Sequence, residues 1–361
     1  MLTVDSVKHL HVELTTRCQA ACPLCARNDR GFKTRTDFPV TELSIEQWQK
    51  IFDSAPALKL NCIVFNGNFG EPTMAADILQ IIDYCFNRWP YLYIELYTNG
   101  GVRNTAWWAD FGNKYQKKNL KVFFSIDGLE DTNHLYRINV PYAKVIENAK
   151  SFIRAGGKAV WKMIPFQHNE HQIETAKQLS VEYGFVSFLL SDQNRDAGFV
   201  FTTETTGYIL KPADYKNKET HHKILPEKFT PITASKDWDD YRLNLLKEWL
   251  NNDKKLDCVT LNEKSVYVAA NGELYPCCHI GHFPKVFTKW KQNFSDVVGN
   301  VDNNAIDIGF EQAINWFDRV ENSWSKNSLE EGLLSSCLGC SIKSPLKTAE
   351  KITYENKQRS S

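Results

Sequence analysis

The chain has 361 residues, enough for one or two domains with a substantial buried core. Lys plus Arg and Asp plus Glu number 43 each, so the net charge is zero, and neither nucleic acid nor an anionic membrane surface has an electrostatic case as partner. The first twelve residues lack the apolar run of a signal peptide, and no stretch reaches the roughly 18 apolar residues of a membrane span, so the reading is cytoplasmic.

In chain order, β-type runs at 10–16, 62–66, 93–99, 121–127, 159–166 and 186–191 alternate with helical patterns. Ser44 and Gln47 form a capping box ahead of Ile45, Trp48, Ile51 and Phe52. Met74, Ile78, Ile81 and Phe86 mark a second helix. Val145, Ala149, Phe152 and Ile153 mark another, stopped by Gly156 and Gly157, and 171–183 forms the last, closed by Gly184. This alternation predicts an α/β fold: a parallel sheet with right-handed crossovers, either open or a partial barrel, with ligand chemistry at the C-terminal strand ends. Residues 198–238 read as an irregular insertion, a candidate lid. A helix follows at 239–250, with Leu243, Leu246, Trp249 and Leu250 on one face. The expected divisions are a core at 1–196, the insertion and linking helix at 197–256, a small α+β domain at 257–342 and a basic tail at 343–361.

Ten cysteines in a reducing compartment argue for metal when they cluster. Cys62 and Cys85 stand alone and read as small buried hydrophobes. Cys18, Cys22 and Cys25 fall in the loop after the first strand, close enough to converge on one metal centre. Three thiolates leave one iron of a cubane open. A zinc knuckle is the competing reading, but zinc asks for a fourth protein ligand, and His9 and His11 precede the strand's exit.

The Cys18-x3-Cys22-x2-Cys25 spacing resembles the cluster motif of the radical S-adenosylmethionine (SAM) superfamily, and further motifs agree in order over residues 8–191. Asn66-Gly67-Asn68-Phe69-Gly70-Glu71-Pro72 is similar to that family's Gly-Gly-Glu-Pro segment, with Phe69 at the first Gly position. Thr98-Asn99-Gly100 matches its Thr-Asn-Gly, and Ser125-Ile126-Asp127-Gly128 with His134 and Arg137 is similar to a stretch of its peptide-maturase branch. The resemblance implies a partial (βα)6 barrel holding a [4Fe–4S] cluster and SAM. Gly70 and Glu71 would hold the methionine ammonium group, with Asn99 in the same shell. Ser125 and Asp127 would face the ribose, Arg137 the methionine carboxylate, and Lys162 and Met163 would border the adenine.

A second set comprises Cys258, Cys277, Cys337 and Cys340, with Cys278 as an alternative to Cys277. Asn271-Gly272 reads as a hairpin turn returning Cys277 towards Cys258. Four thiolates suit a fully ligated [4Fe–4S] cluster or a tetrahedral zinc. This segment resembles the Twitch domain, the shortened SPASM domain of radical maturases, which implies one auxiliary cluster acting as an electron relay.

The chemistry implied by the resemblance is reductive SAM cleavage with an electron from a flavodoxin or ferredoxin, then hydrogen abstraction by the 5′-deoxyadenosyl radical. The outcome expected is oxidation or cross-linking of a peptide or small molecule. Asp192 and Arg195, just past the sixth strand, are the candidate catalytic pair. Seventeen residues precede Cys18, so no fused leader-binding domain is expected ahead of it. Epimerisation with a cysteine hydrogen donor, and a zinc-stabilised binding module without catalysis, are the alternatives.

Overall fold

The computed structural model describes residues 2–23, 25–31, 35–36, 39–191, 201–202, 209–210, 258–286, 288–326, 331–337 and 352–355. In chain order these give β1 (His9–Val12), α1 (Ile45–Asp53), β2 (Cys62–Phe65), α2 (Ile78–Arg88), β3 (Tyr93–Thr98), α3 (Thr105–Tyr115) and β4 (Leu120–Ser125). They continue with α4 (Asn133–Tyr136), α5 (Tyr142–Arg154), β5 (Ala159–Met163), α6 (Ile173–Glu182) and β6 (Ser187–Leu190). Five short strands follow: β7 (Phe201–Thr202), β8 (Ile209–Leu210), β9 (Ser265–Val268), β10 (Leu274–Tyr275) and β11 (Ile352–Glu355). The fold is α/β with a mostly parallel sheet, as the strand–helix alternation requires. No described helix is long and apolar enough to cross a membrane.

The chain divides into two compact units: Met1–Arg17 with Asp37–Ile94 and Lys236–Thr348, and Cys18–Thr36 with Glu95–Ser235 and Ala349–Ser361. In the first unit β1 lies between β2 and β9 and runs parallel to both, His9 facing Cys62 on one side and Ser265 on the other. β10 returns antiparallel to β9, Leu274 opposite Val268. The hairpin expected around Asn271-Gly272 is therefore present, and its first strand also joins the main sheet. A strand of sequence Ser-Val-Tyr-Val suits that place, since β1 would otherwise present an unpaired row of backbone groups. The capping box of α1 forms as expected, Ser44 Oγ accepting from Gln47 N. Trp48, Phe52, Phe65 and Cys85 are buried together with the apolar face of α2, so Cys85 is a core residue.

In the second unit β4, β5 and β6 run parallel, Val122 opposite Ala159 and Val160 opposite Ser187. β11 closes their edge antiparallel to β6, Ile352 opposite Leu190. Two local differences from the sequence reading have simple causes. The first strand stops at Val12: Glu13 N makes one more bond to Val268 O, and Thr15 then bridges to Glu42 in a separate, antiparallel contact. The helix α3 carries Gly112 in its interior, which obscures its pattern; the backbone of α5 approaches so closely that a Cβ there would lie 2.5 Å from Phe152 O. Asn104 caps α3 through Trp107 N.

Candidate functional site

The loop bearing Cys18, Cys22 and Cys25 is fixed by its own backbone. Cys25 N donates to Cys22 O at 3.0 Å, Asn28 N to Cys25 O at 2.9 Å, and the Asn28 amide to Cys22 O at 3.2 Å. This turn fixes Cys22 and Cys25 three residues apart, with Cys18 just ahead of it. Cys22 is 6% exposed, and burial pushes its thiol up to about 11 despite the opposing Arg137 charge. Nitrogen donors face the sulfurs: Arg137 Nη1 to Cys22 Sγ and Asn99 Nδ2 to Cys18 Sγ, each at 3.8 Å. Gln19 Nε2 in turn donates to Asn99 Oδ1 at 2.8 Å. Such donors compensate electron-rich thiolates rather than neutral thiols, so the residues suit a thiolate-ligated cluster. Among the described residues no three His, Cys, Asp or Glu side chains close on a single ion position. A cubane spreads its thiolates over separate irons, whereas zinc gathers them about 2.3 Å from one centre.

Arg137 owes its place to Asp127. Its Nε donates to Asp127 Oδ2 at 2.6 Å, while Asp127 Oδ1 accepts from Ile164 N at 2.6 Å. Asp127 is fully buried, and Asn133 and Asn169 secure its backbone. Burial opposes the guanidinium charge, but Asp127 and then Cys22 outweigh it and hold Arg137 charged. Ser125 ends β4 in register with Lys162 of β5, and Lys162 Nζ stands 5.3 Å above the Tyr97 ring. Met163, next along β5, is buried on the opposite face.

The loop at 66–72 is held from below by a residue that sequence reasoning missed. Glu13, 2% exposed, accepts from Phe69 N at 2.6 Å, Gly70 N at 3.0 Å and Tyr267 Oη at 2.7 Å. Burial raises its pKa, and these three donors work against that rise. The only signal was an acidic residue directly after an apolar strand. Beside it, Asn68 Nδ2 donates to Cys278 O at 3.1 Å. His11 contacts Asn66 O, and although burial opposes its charge, Cys278 raises its pKa. Glu71 caps the turn Pro72–Met74, its Oε1 accepting from Thr73 N and Oγ1. Gly70 is required sterically: a Cβ would sit 1.6 Å from Thr15 O.

Residues 12–179 match the family model of the radical SAM superfamily. That stretch, somewhat under half of the chain, is similar to the radical SAM domain. Members of that superfamily hold a [4Fe–4S] cluster and SAM, and the Cys18–Cys22–Cys25 loop offers thiolates of the kind such a cluster takes. The uncharacterized protein MJ0907 of Methanocaldococcus jannaschii is 25% identical over 280 residues, 76% of this chain and 86% of that protein. A PqqA peptide cyclase of Granulibacter bethesdensis is 29% identical over 106 residues, 29% of this chain and 26% of the cyclase. SuiB of Streptococcus suis shares the fold, with a TM-score of 0.50 at 15% identity over 94% of this chain and 72% of SuiB.

Beyond the radical SAM domain, Cys258, Cys277 and Cys337 line one cavity, whose apolar wall includes Leu261, Ile280 and Phe317. The hairpin and the turn at 335–337 thus bring together three residues more than 75 positions apart at their extremes. Cys278, adjacent in sequence, instead sits by His11 and Tyr267. Cys340, Asp192, Arg195 and the 197–256 segment, apart from its two short strands β7 and β8, lie outside the described residues.

Proposed function

We propose that this chain is a radical SAM enzyme acting on a peptide, with a second, fully cysteine-ligated [4Fe–4S] cluster as electron relay for a net oxidation or cross-link. When bound at Cys18, Cys22 and Cys25, the first cluster supplies the electron that cleaves SAM to methionine and the 5′-deoxyadenosyl radical. The observation that carries the reading is the pairing of Cys18 with Asn99 and of Cys22 with the charged Arg137. Arg137, held by Asp127, keeps a positive charge beside the Cys22 sulfur, while the turn at Cys22–Asn28 fixes Cys22 and Cys25. Glu71, preceded by the Cβ-free Gly70, remains the candidate for the methionine ammonium group, and Ser125 with Lys162 for the nucleoside. The peptide substrate rests on the likeness to the PqqA peptide cyclase. The auxiliary cluster is supported by the three cysteines of one cavity, with Cys340 as its fourth ligand.

Anaerobic purification tests both clusters together. About eight irons per chain are expected, falling to about four in Cys22→Ala, which also loses all 5′-deoxyadenosine formation from SAM and dithionite. SAM cleavage that survives in Cys22→Ala, or colourless protein holding zinc, refutes the proposal.

A further inference from the structure

The cavity of Cys258, Cys277 and Cys337 contains more than thiols. Ser336 also lines it, is 1% exposed, and its Oγ makes no hydrogen bond with any protein group. Trp324 lines it too, with its indole Nε1 buried and likewise unpartnered. A buried O–H or N–H without an acceptor is costly, so two around one cavity call for an acceptor inside it. Trp48 and Trp316 also leave Nε1 unpaired, yet neither lines this cavity. The placement of Ser336 is built rather than incidental. Asn293 Oδ1 accepts from Ser335 N at 2.7 Å, Asn293 Nδ2 donates to Leu333 O at 3.1 Å, and Cys337 N closes onto Leu334 O at 3.0 Å. Asn293 therefore pins the turn that carries Ser336 and Cys337 together.

We infer that Ser336 Oγ and Trp324 Nε1 donate hydrogen bonds to the sulfur atoms of the auxiliary cluster and raise its reduction potential. The inference rests on the second-cluster reading above. Sulfide and thiolate sulfurs are acceptors that such a cluster would bring, beside the Glu321 carboxylate that also lines the cavity, and the rest of the wall is mostly apolar, which strengthens each hydrogen bond. Reduction adds one electron to the cluster, and hydrogen bonds to sulfur stabilise the more negative form. The two donors thus make this centre a better acceptor for an electron leaving a substrate radical.

The test uses the full chain carrying Cys18→Ala, Cys22→Ala and Cys25→Ala, reconstituted anaerobically with iron and sulfide, so that the second centre alone reports. About four irons should remain, and a dithionite titration followed by electron paramagnetic resonance gives its midpoint. Ser336→Ala and Trp324→Phe should each keep the iron and shift the midpoint lower, the double variant further, while Ser336→Thr should restore the parent value. Trp324→Phe, distant in sequence from any cysteine, gives the same readout if Ser336→Ala disturbs cluster assembly. Unchanged midpoints with iron retained overturn the inference and leave the second cluster standing. A parent triple variant that takes up no iron overturns the second cluster itself.

Discussion

Asp127 commits both carboxylate oxygens to its own chain, one to Arg137 and one to Ile164 N, with no exposed surface. Replacing it by Asn leaves the Arg137 guanidinium buried without a counter-charge. The expected loss is about 3–5 kcal/mol, visible as a lower urea midpoint, because removing one partner of a buried pair strands the other. His168 makes a pH prediction. It stacks on Phe166, and burial pushes its pKa down to about 4 from an ordinary 6.5. Between those values the unfolded chain binds a proton that the folded chain does not, so stability falls as pH drops from about 6.5 towards about 4. The His168→Gln variant should show a shallower decline of melting temperature over that window than the parent. At this scale the sequence was readable where chemistry is local: three cysteines in one loop announce themselves by spacing. Glu13 does not, since its partners Phe69, Gly70 and Tyr267 are set by strand pairing across distant segments.

Among the elements, the loop between β2 and α2 shows how little freedom the motif leaves. Gly70 packs its α-carbon directly against the Thr15 carbonyl, which is backbone and has nowhere to retreat. Gly70→Ala should therefore cost at least about 1–3 kcal/mol of overpacking strain and weaken SAM binding, readable by thermal shift with and without SAM. An unchanged melting temperature and an unchanged SAM response would contradict this placement. The hairpin of β9 and β10 was legible because Asn271-Gly272 is a local turn signal. Its attachment to β1 was not, since a four-residue pattern of alternating side chains says which face is buried but not which neighbour it meets. The helix α3 was hidden by its interior glycine, a close-packing device that reads as a breaker.

For the molecule as a whole, the α/β class followed from alternation alone, whereas the composition of the first unit did not. That unit draws on three stretches of chain, and β1 has one neighbour in β2 and the other in β9. A fragment of residues 1–196, which contains the whole match to the family model, therefore keeps β1 with an uncovered edge. It should be aggregated or poorly soluble on size exclusion, where the full chain is not. A soluble, SAM-cleaving fragment would show that β9 is dispensable.

The same pairing of β1 with β9 has a consequence for synthesis. The ribosome releases β1 first and its second partner roughly 250 residues later. At about 5–20 residues per second the delay is on the order of 13–50 s. Throughout that interval β1 is paired along its β2 edge alone, and the backbone groups of its other edge have only water as partner.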